Sequence, residues 1–412
     1  MLNILKIDEE TQLTGFSELN NNDWDELVEL SVKCGVAGLV YFKLQSKVGD
    51  SDLPAKAMNE LKLHAMNTAL INMMYFRELR KVLLVLRQQD INPIILKGAY
   101  LAHSIYSDLS QRSMIDLDIL LKKSQIEVAE QILLDMGYEL DGDREDWKNN
   151  HFHYRYLHLV EGTNIELHWD LLEPNSNIQL DIDGIMQRSQ STTIAGIETL
   201  VFSPEDLLLH LCTHATVLHL FSYHVIRTLC DITYILRYYG SQIDWDKLRE
   251  YAEKCGARKQ VYLVLYFSRG LLNAPVSIEV LNLLKPVDLN QQILDWAEVR
   301  LWGEIENEST KMNGNPIMSD RMVDAFVEEE ILSKVSVLMK KFFPARQELI
   351  SLYSLPENSR IVYFYYPRRF VGLLLRHLRT MMLWLSRDFE TLTLIEMERQ
   401  RVALTNWFTT PG

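Results

Sequence analysis

The sequence predicts an α+β fold, with a central α/β segment between helical regions. Three observations lead to this prediction. Apolar residues recur at helical spacing over 22–46 and 54–89, ahead of the central segment. From Ser203 the helical spacing returns and continues over much of the remaining chain. Between these regions, short alternating or fully apolar runs typical of strands occur at 93–97, 114–121, 152–160 and 164–170.

Four regions are expected along the chain. They are an N-terminal helical region, an α/β core, a second helical domain and an arginine-rich helical segment, at 1–90, 91–202, 203–350 and 351–412. The long N-terminal helix pattern should end before Asn92-Pro93, because a proline disfavours the helical conformation of the residue before it. Its apolar residues are expected to pack in a core: Leu61, Met66, Leu70, Met74, Phe76, Leu83 and Leu86.

Strands and helices alternate in the expected core. A helix predicted at 124–136 opens with Ser124 and Glu127, which have the spacing of a capping box. Residues 161–164 read Glu-Gly-Thr-Asn, a turn signal, so the strands on either side of it should pair as an antiparallel hairpin. A further short strand is expected over 193–202.

Two aspartates interrupt one of the predicted apolar strands. Asp116 and Asp118 are separated by a single residue. Because side chains alternate along a strand, both should point to one face, and Ile115, Leu117 and Ile119 to the other. Two carboxylates this close repel each other unless a cation lies between them. Oxygen ligands without accompanying Cys or His suit Mg²⁺, which completes its shell with water and substrate phosphates. The pair therefore predicts a metal site.

Two further features flank the pair. Before it, an apolar run ends at Lys97-Gly98 and leads into a short helix predicted at 99–107. A glycine turn at a helix N-terminus offers backbone N–H groups to phosphates. After it, the strand Asn-Ile-Glu-Leu-His-Trp places Glu166 and His168 on one face. A third carboxylate on a neighbouring strand would complete a triad, so these features indicate a site for a metal-bound nucleoside triphosphate.

The order of these motifs resembles the polymerase-β-like nucleotidyltransferase superfamily. In detail it is similar to the family described as uncharacterised nucleotidyltransferases, whose pattern runs LKG, then an Arg shortly before DIDLL, then a strand like IELHW. The specific resemblance covers residues 91–172, and a weaker similarity continues through 203–237. The superfamily's Gly-Ser is replaced here by Lys97-Gly98 followed by Ala99, so the serine hydroxyl expected near the phosphates is missing.

The resemblance implies a polymerase-β-like core, a mixed sheet with helices, flanked by helical N- and C-terminal regions. It also implies transfer of a nucleoside monophosphate from an NTP, with ATP the expected donor, to a small-molecule or peptide acceptor, with release of pyrophosphate. Mg²⁺ or Mn²⁺ would be required, and the helical region from 203 onward would receive the acceptor. The implied metal ligands and catalytic groups are Asp116, Asp118 and Glu166. The implied nucleotide contacts are Lys97, Gly98 and Arg112. The implied acceptor-side groups are His168, His214 and Asp231.

Several alternatives stay open from the sequence alone. Arg112 is either a phosphate contact or an ordinary loop cation, and Glu166 either completes a second metal site or deprotonates the acceptor. The target could instead be a protein that receives AMP, as in toxin–antitoxin relatives of the superfamily. The protein could also be a catalytically silent nucleotide-binding scaffold. The missing serine hydroxyl favours the scaffold, and the three carboxylates oppose it more strongly.

Composition narrows the classes of protein further. The chain has 412 residues, of which 47% are hydrophobic, and this is ample for a large core. A formal net charge of −14 disfavours a general nucleic-acid-binding surface. The start, MLNILKIDEETQ, lacks the basic and apolar parts of a signal peptide, and no apolar run reaches the roughly 18 residues of a membrane span. A cytoplasmic enzyme is expected, with the oligomeric state left open.

Histidines and arginines cluster in the C-terminal half. His210 and His214 are four residues apart, as helical metal ligands often are, but a surface or core role is favoured because no catalytic Glu accompanies them. From Asn358 to Arg387 there is no Asp or Glu, and the segment contains six arginines: Arg360, Arg368, Arg369, Arg376, Arg379 and Arg387. This segment is expected to dock its apolar stripe onto the acidic body, with a substrate contact or a membrane-surface helix as the alternatives.

Overall fold

The structure is a computed structural model that describes residues 1–6, 16, 19–47, 53–307, 346, 363, 365–367 and 389–410. The chain divides into two compact units, Met1–Asn290 and Gln291–Thr410. The region boundaries expected from the sequence at 90, 202 and 350 stay predictions. The six arginines of the C-terminal segment lie outside the described residues, so their role also stays a prediction.

The described residues of the N-terminal part of the first unit form four α-helices: α1 (Leu2–Leu5), α2 (Asn21–Lys33), α3 (Ala37–Lys47) and α4 (Ala55–Gln88). A reciprocal capping box begins α2, because the Asn20 side chain accepts from the Asp23 N–H and the Asp23 carboxylate accepts from the Asn20 N–H. The segment 22–46, which has helical spacing of apolar residues, thus forms two helices. They are separated by a turn at Gly35, whose φ of +69° a residue with a β-carbon rarely adopts.

In the part of the chain that the structure describes, one side of α4 is buried and the other is exposed. Four of the seven expected core residues are buried: Leu61, Phe76, Leu83 and Leu86. The prediction is wrong for Met66, Leu70 and Met74, which are 54%, 55% and 41% exposed. At about 100° per residue these three fall on the side of the helix opposite the buried four. The buried side packs against α2, α3 and the sheet.

Among the described residues, seven strands form one mixed sheet: β1 (Ile94–Ile95), β2 (Leu117–Leu120), β3 (Glu139–Leu140), β4 (His153–His158), β5 (Thr163–His168), β6 (Gln190–Ile194) and β7 (Ile197–Val201). Their order is β3-β4-β5-β2-β1-β7-β6. β2 is parallel to β5 and β1 is parallel to β7, while the other neighbours are antiparallel. The expected α+β fold with a mixed sheet is therefore confirmed.

Short helices connect these strands: α5 (Lys97–Tyr100), α6 (Ile126–Asp135), α7 (Arg144–Asn150) and α8 (Ile182–Arg188). A π-helical turn, Leu101–Ile105, continues α5. The capping box expected at Ser124 and Glu127 is wrong. A 3₁₀ turn precedes α6, and there the Lys122 N–H donates to the Gln125 side chain at 3.2 Å, so the cap lies two residues earlier.

Two turns of the core reverse the chain, and only the first was predicted. The hairpin expected around 161–164 is confirmed, because β4 and β5 pair antiparallel along their full lengths. The single strand expected over 193–202 is wrong, since this stretch lies in the β6–β7 hairpin. Ala195 and Gly196 turn the chain there with φ of +50° and +76°. A positive φ at a non-glycine residue was not readable from the alternation of side chains.

Five helices complete the first unit: α9 (Pro204–Thr213), α10 (Val225–Tyr239), α11 (Trp245–Cys255), α12 (Arg258–Leu272) and α13 (Ile278–Leu284). The Ser203 side chain caps α9 by accepting from the Asp206 N–H at 3.2 Å. A π-helical turn, His214–Leu218, follows α9. α10 packs against α9, α12 and the turn after α5, which brings this helical region against the core.

The second unit is described mainly through α14 (Gln291–Asn307) and α15 (Phe389–Thr409), which pack against each other. Within the described ranges, no helix combines the length and the apolar character needed to cross a membrane.

Candidate active site

Two parallel strands carry the acidic residues. In the register of β2 and β5, Asp118 lies opposite Glu166 and Leu120 opposite His168. Residues paired in this way project their side chains to the same face of the sheet, as do residues two apart on one strand. Asp118, Glu166 and His168 therefore share a face. The alternate residues of both strands are buried on the other face: Leu117, Ile119, Ile165 and Leu167.

Asp116 precedes β2 by one residue and joins this group. One carboxylate oxygen from each of Asp116, Asp118 and Glu166 lies within 4.8 Å of the other two. The expected alternation fails for Ile115, which is 66% exposed. The strand begins only at Leu117, so side chains before that point are not bound by the alternation of the sheet.

Asp118 is buried and held by two partners. Lys97 Nζ lies 3.3 Å from its Oδ2, and His168 Nε2 lies 3.0 Å from its Oδ1. Burial alone would raise the pKa of Asp118, but Lys97 and the hydrogen bond from His168 outweigh burial and hold this pKa well below its usual value. A carboxylate inside an apolar strand needs such partners, because an unpaired buried charge is strongly unfavourable.

Asp116 is in the opposite electrostatic state. Burial, and then repulsion from Asp118, raise the pKa of Asp116 to about 6. Two adjacent carboxylates that disfavour each other's ionisation are the arrangement that a divalent cation relieves. The three carboxylates supply only oxygen donors, which fits Mg²⁺, a cation that keeps part of its water shell and binds substrate phosphates. The residues present therefore fit a metal–nucleotide site.

Glu166 lies between two imidazole rings. Its Oε2 is 3.3 Å from His168 Nε2 and 3.6 Å from His153 Nε2. Burial of His168 favours the neutral ring, but its hydrogen bonds to Asp118 and Glu166 outweigh burial and raise the pKa of His168. Burial and the neighbouring His168 lower the pKa of His153 to about 3. His168 thus contacts the carboxylates directly, and the sequence assigned no role to His153.

Lys97 is the first residue of α5 and links the carboxylates to the helical region. Its Nζ lies 2.9 Å from His214 Nε2. Burial, and then the charge of Lys97, hold the pKa of His214 well below its usual value, so this ring is neutral. Gly98 lies within the first helical turn, after an N-cap at Leu96, and not in a turn before the helix. A β-carbon at Gly98 would meet Met114 Cγ at 3.4 Å, an ordinary contact.

Arg112 and Asp231 form a buried pair. Arg112 Nε donates to Asp231 Oδ1 at 2.8 Å and Nη2 donates to Oδ2 at 2.9 Å. The Tyr106 hydroxyl donates to the same Oδ1 at 2.8 Å. Burial opposes the charge on Arg112, but Asp231 outweighs burial and raises the pKa of the guanidinium. The structure therefore gives both residues a direct partner, and their pair joins the loop before β2 to α10.

A second arginine, Arg227 on α10, was not identified from the sequence. Its positive charge acts against the rise in the pKa of Asp116. The charge of Arg112, and then burial, lower the pKa of Arg227 itself to about 10. Its hydrogen bond goes to Ser113 Oγ at 3.4 Å, and no carboxylate in the described part of the chain pairs with it within 4 Å. A signal existed: Arg227 lies four residues before Asp231, so both lie on one face of α10.

A cavity of about 860 Å³ opens beside this region. Its lining includes Lys122, Lys123, Lys148 and Trp169, and it includes none of the three carboxylates. The lining also includes Asp170, Asp181 and Asp183, so its charges are mixed and indicate no particular ligand. We place the candidate active site at the carboxylates, because their spacing and charge suit a metal–nucleotide complex. The volume of a cavity alone does not indicate which molecule binds there.

Comparison with known families agrees with this geometry. A family model described as uncharacterised nucleotidyltransferase matches residues 20–273, more than half of the chain. No match was found among curated proteins. The matched range contains the sheet that carries the three carboxylates, Lys97 at the start of α5, and the helical segments that carry His214 and Arg227. The chain therefore belongs to the uncharacterised nucleotidyltransferase family.

Proposed function

We propose that the protein transfers a nucleoside monophosphate from a nucleoside triphosphate to a small-molecule or peptide acceptor, with ATP as the donor. An acceptor oxygen or nitrogen attacks the α-phosphorus, and the bond from that phosphorus to the bridging oxygen breaks. Pyrophosphate leaves, and the proton of the acceptor passes to a base. The observation that carries this proposal is the convergence of Asp116, Asp118 and Glu166 within 4.8 Å. Membership of the family supports the reaction class.

The three carboxylates are the proposed ligands of Mg²⁺ or Mn²⁺. When bound, such an ion neutralises charge on the phosphates and orients them for in-line displacement. Asp118 supplies a permanent negative charge, because its partners keep its pKa low. In the metal-free protein the pKa of Asp116 is raised to about 6, so below that pH the ion must displace a proton from this carboxyl group. Glu166, held between His153 and His168, either completes the ligand set or accepts the proton of the acceptor.

Two cations are the proposed contacts of the phosphates. Lys97 lies within 3.3 Å of Asp118 and acts as a compact point charge. The charge of Arg227 acts on Asp116, and its planar guanidinium suits two phosphate oxygens at once. Arg112, assigned to the nucleotide from the sequence, instead positions α10 through Asp231 in this proposal. Gly98 keeps its proposed place beside the phosphates, since it adjoins Lys97 in the first turn of α5.

The proposed acceptor side is formed by the helical region after β7. His214 lies next to Lys97, and its neutral ring can hydrogen-bond an acceptor hydroxyl or amine. His168 contacts both Asp118 and Glu166, so in this proposal it orients these carboxylates. A cytoplasmic location is proposed as well, since ATP and Mg²⁺ are available there.

Labelled ATP tests the proposal. Purified protein with Mg²⁺ is incubated with ATP labelled at the α-phosphate or at the γ-phosphate, together with metabolite pools, peptide pools or no acceptor. We expect the α label to move to an acceptor and the γ label to leave as pyrophosphate. Label on a protein would identify the protein AMP-transferase alternative. Transfer of the γ label to the acceptor would contradict the proposal.

A matched pair of variants connects this reaction to the site. Asp118→Asn removes a proposed metal ligand at nearly constant volume and should abolish transfer. Asp246→Asn makes the same change at an exposed position of α11, where the side chain is 83% exposed, and should leave transfer unchanged. If the unmodified protein and the Asp246→Asn variant both bind ATP tightly but transfer nothing to any acceptor, the silent scaffold is favoured.

A further inference from the structure

A second group of ligand atoms adjoins the carboxylates, and this group contains nitrogen. His153 at the start of β4 pairs directly with His168 at the end of β5 in the antiparallel ladder. Their ring centroids are 4.8 Å apart, with the rings inclined by 32°. One ligand atom from each of His153, Glu166 and His168 lies within 4.8 Å of the other two. Cross-strand pairing thus brings two imidazoles to the carboxylate that faces Asp118.

The distances suit a metal with nitrogen ligands. Glu166 Oε2 lies 3.3 Å from His168 Nε2 and 3.6 Å from His153 Nε2. For metal–ligand bonds of about 2.1 Å, ligand atoms in tetrahedral or octahedral sites are separated by roughly 3.0–3.4 Å. Asp118 Oδ1, at 3.0 Å from His168 Nε2, lies in the same range. His153 Nε2, at 3.6 Å from Glu166 Oε2, lies just outside this range, so binding one ion would require its side chain to move closer.

The rings are oriented by packing and not by their second nitrogen atoms. Nδ1 of His153 and Nδ1 of His168 are buried without a hydrogen-bond partner in the described part of the chain. Trp147 packs against His153 at 5.0 Å between ring centroids, and Phe152 packs against His168 at 5.5 Å. The polar contacts of both rings with the carboxylates therefore run through Nε2.

We propose that His153, Glu166 and His168 form a site for a divalent transition metal, Mn²⁺, Co²⁺ or Zn²⁺, beside the all-oxygen site, with Glu166 shared between the two. Imidazole ligands suit these ions, whereas Mg²⁺ prefers oxygen ligands and water. The chain then distinguishes between divalent cations, and it binds a transition metal without nucleotide. This inference goes beyond nucleotidyl transfer and does not require that reaction to occur.

A purely structural role for these histidines predicts a different result. His168 could serve only as a hydrogen-bond donor to Asp118 and Glu166, in which case bound Mn²⁺ would have oxygen ligands alone. Electron spin echo envelope modulation of Mn²⁺ in the full-length protein, without nucleotide, separates the two cases because it detects directly bound nitrogen. We expect nitrogen coupling in the unmodified protein, and a change in the coupling pattern when all histidines carry ¹⁵N. That labelling also excludes Lys97 as the source, and it needs no variant that must fold.

Variants then identify the ligands. His153→Gln should remove part of the nitrogen coupling and raise the Mn²⁺ dissociation constant by at least about tenfold, since even partners behind metal ligands contribute 10–100-fold. His158→Gln, on the same strand but in neither ligand set, should retain both properties. Asp116→Asn removes a ligand of the all-oxygen site only, so the nitrogen coupling should persist even where nucleotide binding is lost. Absence of histidine coupling in the unmodified protein, or its retention in full by His153→Gln, would overturn the inference.

Discussion

Replacing Asp116 by Asn should stabilise the metal-free protein at neutral pH. Burial and repulsion from Asp118 raise the pKa of Asp116 from 3.8 to about 6. Between about pH 4 and pH 6 the folded protein holds a proton that the unfolded chain has released, so stability falls as the pH rises through this window. Above about pH 6 the charged Asp116 carboxylate lowers the free energy of unfolding by its full amount. Asn at this position carries no charge and causes no such loss.

The size of this effect follows from the two pKa values of Asp116. A tenfold change in an acid dissociation constant corresponds to about 1.4 kcal/mol. Because folding raises the pKa from 3.8 to about 6, Asp116→Asn should raise the free energy of unfolding by about 3 kcal/mol at pH 8. At pH 5 the folded protein is largely protonated at Asp116, and roughly half of this difference should remain. The raised pKa already reflects the attraction of Lys97 and Arg227, so their loss needs no separate correction.

Urea unfolding with EDTA, followed by tryptophan fluorescence at pH 8 and pH 5, measures both quantities. The Asp246→Asn variant serves as control, because it removes a carboxylate that is exposed. Saturating Mg²⁺ should stabilise the unmodified protein more than Asp116→Asn and so narrow the gap, because ligand binding to the folded state adds stability. The reasoning would be refuted by a variant that is no more stable than the unmodified protein at pH 8, or by a difference that does not change with pH.

Three further predictions concern the cations of the site. Lys97→Met should raise the dissociation constant of Mg²⁺–ATP about tenfold or more, because one hydrogen bond to a charged group contributes that much binding energy. An unchanged constant in a calorimetric titration would mean that Lys97 only pairs with Asp118 and does not contact the phosphates. Arg227→Gln should weaken ATP binding similarly without lowering the melting temperature, since no carboxylate pair is broken within the described residues. Arg112→Met should destabilise the protein by about 3–5 kcal/mol, because it leaves Asp231 buried and unpaired; a loss below about 1 kcal/mol in urea unfolding would contradict this.

Local rules were sufficient for the central part of the site. Alternation along a strand placed Asp118 on one face, and the same rule placed Glu166 and His168 on one face. The turn at 161–164 predicted the hairpin that sets the register of β4 and β5. What alternation could not show is that β2 and β5 are parallel neighbours in matching register, since that pairing joins residues 48 positions apart, Asp118 and Glu166. The family resemblance implied only that a later strand carries the third carboxylate; the parallel direction and the register come from the structure.

Contacts between distant segments account for what the sequence did not reveal. The pairing of Arg112 with Asp231 joins residues 119 positions apart and depends on how α10 packs against the core. The electrostatic effect of Arg227 on Asp116 depends on the same packing. Solvent exposure of Met66 on α4 could not be read from apolar spacing alone, because a long helix can have two apolar sides while its neighbours cover only one of them.

Crystals of the full chain with Mn²⁺ and a non-hydrolysable ATP analogue test the central claim most directly. The anomalous scattering of Mn²⁺ locates the ion independently of the phosphates. The account predicts an ion bound by carboxylate oxygens of Asp116, Asp118 and Glu166 that also contacts the triphosphate. A nucleotide held with its ion elsewhere, for example in the cavity lined by Lys122 and Lys148, with the three carboxylates uninvolved, would contradict it.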